Sequence, residues 1–198
     1  MKHLKRLAYI AIVLSFTFRG YAQKIELVQG DLTPLKGEKG IDFAFTYDSI
    51  MMGKGKTEAE YVAKKTADYN KKEAGKGDAW AKNWKDDREV KYQPAFTKTF
   101  EEYSTLKMAA GSKYTLIFKT TFLEPGFNMV MVHQEPAQVS GTVLVVETAN
   151  KSHVIAKLTL YKAPGRGYFG SEFDTGERLT EAYESAGRGL GYYFRGKM

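Results

Sequence analysis

Residues 138–162, QVSGTVLVVETANKSHVIAKLTLYK, decide the fold. Two runs rich in valine, leucine and threonine flank a polar break at residues 149–152. In the second run Val154, Ala156, Leu158 and Leu160 alternate with Ile155, Lys157, Thr159 and Tyr161. Side chains on a strand point to opposite faces in turn, so a period of two marks a half-buried strand. The two runs read as neighbouring antiparallel strands, with the Val154 set facing the core.

The same period recurs upstream. YTLIFKTTFL (114–123) alternates through Tyr114, Leu116, Phe118, Thr120 and Phe122. Glu124-Pro125-Gly126 is a turn signal, because proline presets φ and glycine tolerates a positive one. FNMVMVH (127–133) is expected to return from that turn as the hairpin partner of 114–123. IDFAFTYDSIMM (41–52) places Ile41, Phe43, Phe45 and Tyr47 on one face, and Asp42, Thr46 and Asp48 on the other. KIELVQG (24–30) is a further short strand.

Residues 57–104 lose this pattern and read as helices. Thr57 and Glu60 have the spacing of a capping box. Tyr61, Val62 and Tyr69 form a modest stripe, and Ala74-Gly75-Lys76-Gly77 ends it. Asp78 is placed to cap a second helix carrying Trp80 and Trp84. Pro94 begins a third, with Phe96, Phe100 and Tyr103 at helical spacing. The last helix runs over about 176–195, with Asp174 as its expected cap and Glu177 closing the box. Leu179, Ala182, Tyr183, Ala186, Leu190, Tyr193 and Phe194 make its apolar stripe. Gly187, Gly189 and Gly191 each weaken a helix by about 1 kcal/mol relative to alanine. Close approach of this helix to the sheet is the expected offset.

These elements predict an α+β fold: an antiparallel or mixed sheet of about five to six strands, with helices packed on one face. Residues 23–198 suit a single domain of this kind.

Residues 1–22 have a different composition. Lys2, Lys5 and Arg6 precede an uncharged, mostly apolar run from Leu7 to Phe18, and Gly20-Tyr21-Ala22 offers small residues for cleavage. That is the layout of a secretory signal peptide. A helix over the apolar run would span about 18 Å, short of the roughly 30 Å hydrocarbon core of a bilayer. The expected location is therefore the periplasm or the outside of the cell, with no integral membrane span after removal of the signal. The net charge of +7 falls to +3 once Lys2, Lys5, Arg6 and Arg19 leave with it. The basic balance is thus partly a property of the signal and gives no reason to expect a nucleic-acid partner. There is no cysteine, which excludes disulfides, thiolate metal sites and cysteine nucleophiles.

Gly165-Arg166-Gly167-Tyr168-Phe169-Gly170 matches the glycine spacing of dinucleotide-binding loops. The context does not match. In such loops the phosphate meets the helix N-terminus directly, whereas here the carboxylate of Asp174 is expected at that end. No strand follows to carry a ribose-binding acid. No dinucleotide and no other cofactor is expected, and the loop reads as an aromatic-bearing connection.

No catalytic constellation emerges. His133 and His153 lie on separate strands without metal-ligand spacing, so no metal is expected. Asp86-Asp87 and Glu101-Glu102 are neighbours in sequence and diverge on a helix. Thirteen tyrosines, twelve phenylalanines and two tryptophans make the chain aromatic-rich. Exposed aromatics serve sugar and protein surfaces, and Trp80, Trp84 and Tyr92, on a heavily charged helical segment, are the candidate binding aromatics. Asn150-Lys151-Ser152 is an N-glycosylation sequon, and Asp48-Ser49-Ile50 resembles the short O-glycosylation motif of Bacteroidetes.

The segments YTLIFKTTFLEPGFN, PAQVSGTVLVVET and APGRGYFGSEFDTGERLTEAYESAGRGLGYYFRGKM, with GYAQ at the cleavage region, resemble a group of small secreted proteins of unknown function from Bacteroidetes. The element order distantly resembles the TolB N-terminal and CsgG-like periplasmic domains, an analogy of fold that implies no shared function. The family has no established activity, so the resemblance implies no site residues. The expectation is an exported, non-enzymatic module that binds an envelope protein or glycan. The alternative is a small periplasmic hydrolase whose site is assembled only in three dimensions.

Overall fold

The computed structural model describes residues 23–129, 133–165 and 175–198. The signal segment, residues 166–170 of the glycine loop and the Asp174 cap lie outside the described residues.

The strands are β1 (Lys24–Gly30), β2 (Gly40–Thr46), β3 (Met51–Met52), β4 (Lys56–Thr57), β5 (Lys107–Met108), β6 (Tyr114–Glu124), β7 (Phe127–Met129), β8 (His133–Glu135), β9 (Gln138–Glu147) and β10 (Asn150–Pro164). The helices are α1 (Glu58–Lys72), α2 (Lys76–Asp87), α3 (Gln93–Tyr103) and α4 (Thr175–Arg195), with a π-helical turn at Arg88–Tyr92 joining α2 to α3. The architecture is α+β. Eight strands form one mixed sheet in the order β1-β10-β9-β6-β2-β5, with β3 and β4 beyond the end of β2. This is more strands than the sequence suggests, because β3, β4 and β5 are only two residues long.

The alternating runs pair as their patterns require. Leu158 lies opposite Val143 and Ala156 opposite Val145 in the antiparallel β9–β10 ladder. Phe118 lies opposite Val143 on β9 and beside Phe45 of the parallel strand β2. Leu116, Phe118, Val143, Val145, Ala156 and Leu158 are fully buried. Their face receives α3 and α4: Phe118 meets Phe96 at 4.9 Å between ring centres, and Thr120 shares a 2.7 Å hydrogen bond with the Tyr183 hydroxyl. The α4 stripe of Leu179, Ala182, Tyr183, Ala186, Leu190 and Phe194 is buried throughout.

Three local expectations are corrected. FNMVMVH does not return along β6. Both edges of β6 are already taken, by β9 on one side and by β2 and β3 on the other. The chain turns at Gly126, where φ is +66°, and β7 pairs with β8 as a separate ribbon. Asp78 does not cap α2, which begins at Lys76 with Gly75 as its N-cap at φ 80°. Gly77 lies against the Thr66 carbonyl of α1, and its N–H is bound by Asn70 Oδ1 at 2.6 Å, so the helix starts where the two helices touch. Finally, the glycines of α4 make room for a helix and not for the sheet. A Cβ at Gly187 would strike the Phe96 carbonyl, and one at Gly191 would lie 2.8 Å from the Phe100 carbonyl, both on α3.

Candidate functional site

The aromatics expected to be exposed are mostly interior. Trp84 is 4% exposed and Tyr92 1%. Trp84 donates its indole N–H to Glu58 Oε1 at 2.7 Å, and Tyr92 stacks flat on Tyr183 at 4.9 Å. The charges around them occupy the other faces of their helices, which leaves one compact aromatic stripe to pack. The π turn carries both Tyr92, buried against Tyr183, and Arg88, which is mostly covered. Arg88 reaches Glu58 as an ion pair and lies 4.6 Å over the Tyr47 ring. Trp80 alone stays half-buried, between Tyr61 at 6.0 Å and Tyr69 at 5.8 Å. It borders a cavity of about 130 Å³ shared with Asn83, Asp87 and Lys91.

The other sequence candidates have structural duties. His153 Nδ1 lies 3.1 Å from Glu147 Oε2 at an exposed strand end. Asp86 pairs with Lys82, and Asp87 with Lys91 at 3.3 Å. Glu101 Oε1 accepts from the Met108 N–H. Among the described residues no group of three acidic or histidine side chains could hold a metal ion. Asn150 is exposed, and its Oδ1 accepts from the Ser152 N–H at 3.2 Å.

A larger cleft of about 490 Å³ opens between α1, the Gly53–Thr57 connection and the turn after β6. Tyr61, Lys64 and Lys65 come from α1, Gly53, Lys54 and Lys56 from the connection, and Glu124 and Phe127 from either side of the Pro125-Gly126 turn, with Glu135 contributed by β8. The capping box fixes the start of α1: Thr57 Oγ1 accepts from the Glu60 N–H at 3.3 Å, and Glu60 Oε2 accepts from the Thr57 N–H at 2.8 Å.

Glu124 is the central acid. Its Oε1 accepts from the Gly126 N–H at 3.2 Å, and its other oxygen rests where a side chain on Gly53 would stand. Burial raises its pKa above the ordinary 4.5, and the negative field of Glu135 adds to the rise; the Gly126 N–H and Lys54 oppose it. The Tyr61 hydroxyl is also raised, mainly by burial. The turn beneath is held from inside by Arg178, 7% exposed, whose Nε donates to the Pro125 carbonyl at 3.0 Å and whose Nη2 reaches the Gly126 carbonyl and Thr175 Oγ1, each at 3.4 Å. The cleft therefore combines an aromatic wall, cationic donors and a carboxyl that can carry a proton above the usual range.

Sequence reasoning missed this site, whose parts come from three stretches of the chain, 53–68, 124–127 and Glu135. One signal was available: Arg178 is a charged residue on the buried stripe of α4, one turn before Ala182.

No family model matches this chain, and no curated protein does. Among solved structures it is similar to the PelC dodecamer from Paraburkholderia phytofirmans, at 11% identity over 83% of this chain and 97% of that one, with a TM-score of 0.33. It is also similar to a Xanthomonas campestris protein of the family described as DUF330, at 10% identity over 80% and 84%, with a TM-score of 0.39. Identities and scores this low assign neither a shared family nor an activity. Among the described residues no helix is long and apolar enough to cross a membrane.

Proposed function

We propose that this chain is an exported binding module of the cell envelope, and that the cleft between α1 and the Glu124 turn takes a glycan. The observation that carries this reading is the set of groups that line one preformed space of about 490 Å³: the Tyr61 ring, Lys54, Lys56, Lys64 and the half-buried Glu124. Sugars offer C–H faces to a ring and hydroxyls to charged donors and acceptors, which matches this mixture. The test is binding of residues 23–198 to an array of bacterial envelope glycans, followed by calorimetry on the hits. Tyr61→Ala and Glu124→Gln should each weaken binding at least about tenfold, which corresponds to 1.4 kcal/mol. Absence of any hit, or hits indifferent to both variants, rejects the assignment.

One observation favours a second reading, a small hydrolase. Glu124 and Glu135 share the cleft, and the field of Glu135 adds to the rise that burial gives the Glu124 pKa. Two carboxyl groups in one cleft, one of them with a raised pKa, are the arrangement that general acid–base hydrolysis needs. Turnover of nitrophenyl glycosides or esters that disappears in Glu124→Gln would establish it.

A further inference from the structure

The outer edge of β2 is interrupted. On one side β2 pairs with β6 from Asp42 to Thr46. On the other, β5 covers only Gly40 and Ile41. Further along, β3 takes over the place of β2 beside β6, and β4 lies outside β3. The outermost row of the sheet thus begins with β5, ends with β4, and has a gap of about five residues between them at Asp42–Thr46.

The gap presents backbone hydrogen-bonding groups. The Lys107 and Ala109 N–H groups donate to the carbonyls of Lys39 and Ile41 at 2.9 and 3.0 Å, so these odd-numbered positions point outward. By strand alternation Phe43 and Phe45 point the same way. The Phe43 N–H is held locally by Asp42 Oδ1 at 2.8 Å. The Phe43 carbonyl and both backbone groups of Phe45 face the gap, where among the described residues no strand pairs with them. Beside this edge runs a groove of about 490 Å³, floored by the half-buried Phe43 and Phe45 rings and walled by Gln93, Pro94, Thr97 and Lys98 of α3.

We infer that Asp42–Thr46 is a docking edge for an extended peptide segment of a partner protein, which adds one strand between β5 and β4. A row of alternating N–H and C=O groups is complemented by another strand, and the groove supplies side-chain pockets at alternate positions, the arrangement of β-augmentation. The α3 wall decides the occupant. A single extended chain fits between β2 and α3, whereas the edge of a second folded copy would bring its own sheet and helices against that wall. Apolar side chains at every second peptide residue would meet the phenylalanine rings. Glu89 and Glu101, against the single Lys98, favour a lysine or arginine beside them.

The experiment is selection of a random nonamer display library on residues 23–198, with the enriched peptides resynthesised and mapped by amide shifts on the labelled protein. The expected result is an alternating apolar motif that moves the Phe43–Thr46 and Thr97 amides. N-methylation of the peptide at the alternate residues facing β2 should weaken it at least tenfold, and Thr97→Trp, which fills the groove, should abolish it. Glu124→Gln should leave it unchanged, which separates this site from the glycan cleft. Failure to enrich any motif, shifts confined to β1 or to the cleft, or equal binding of the N-methylated peptide overturns the inference.

Discussion

The Glu124 carboxyl is caught between opposing influences, and its titration reads them out. Burial and Glu135 raise its pKa, while Gly126 and Lys54 lower it. Its titration midpoint, followed by carboxyl-carbon NMR, should lie above 4.5 and move down in Glu135→Gln. The sign for stability follows. A carboxyl raised in the folded state holds its proton longer there than in the unfolded chain, so its contribution falls as pH rises from the unfolded value through the folded one. Glu124→Gln should therefore flatten the loss of stability over that interval in urea titrations, and a slope steeper than the parent's would contradict the assignment. Arg178 acts at the same scale. Its guanidinium satisfies two carbonyls of the turn in a site closed to water, and Arg178→Met should cost about 2–3 kcal/mol through the charged hydrogen bonds it loses. Chemical denaturation measures that loss. An unchanged midpoint would show that the turn holds itself.

At the scale of elements, the α3–α4 seam is built on backbone contact. Gly187 and Gly191 lie one turn apart on α4 and abut the carbonyls of Phe96 and Phe100, and Thr99 Oγ1 lies 2.9 Å from the Glu184 carbonyl across the same seam. Alanine at Gly187 or Gly191 gains helix propensity but drives a methyl group into a packed backbone, a net loss of about 1–3 kcal/mol. Gly189 differs, because its Cβ would first meet the end of the Gln23 side chain, which can move. Gly189→Ala should raise stability by about 0.5–1 kcal/mol, and thermal melts of the three variants should split in this way. The glycines thus announced a close approach in the sequence but not its partner, since helix spacing reports the face of a residue and never what covers it. The Thr57–Glu60 cap was legible for the opposite reason: every group in it lies within one turn. Trp84 and Tyr92 misled because charged neighbours on a helix describe the far face as much as the near one. Edge amides offer a further check. The Phe45 N–H faces the gap and the Ala44 N–H faces β6, so hydrogen exchange should be about a hundredfold faster at Phe45.

Over the whole molecule, the alternating runs made the α+β class and the strands β1, β2, β6, β9 and β10 readable, because period two is written locally. The parallel pairing of β2 with β6 was not, since nothing in either run specifies a neighbour seventy residues away. The cleft was hidden for the same reason: Lys54, Tyr61, Glu124 and Glu135 meet only after β3 has docked on β6. The strand order also carries a consequence for biosynthesis. Among the described strands β1 is the earliest in the chain, and there it has β10 as its sole neighbour in the sheet. A nascent chain must therefore carry Leu27 without its partner Leu158 until β10 has been made. Shorter products ending near residue 149 should show little ordered structure by circular dichroism and bind hydrophobic dyes. Acquisition of the native state then waits for β10, and a polypeptide still lacking that strand stays loose enough to be threaded through a narrow passage before it sets.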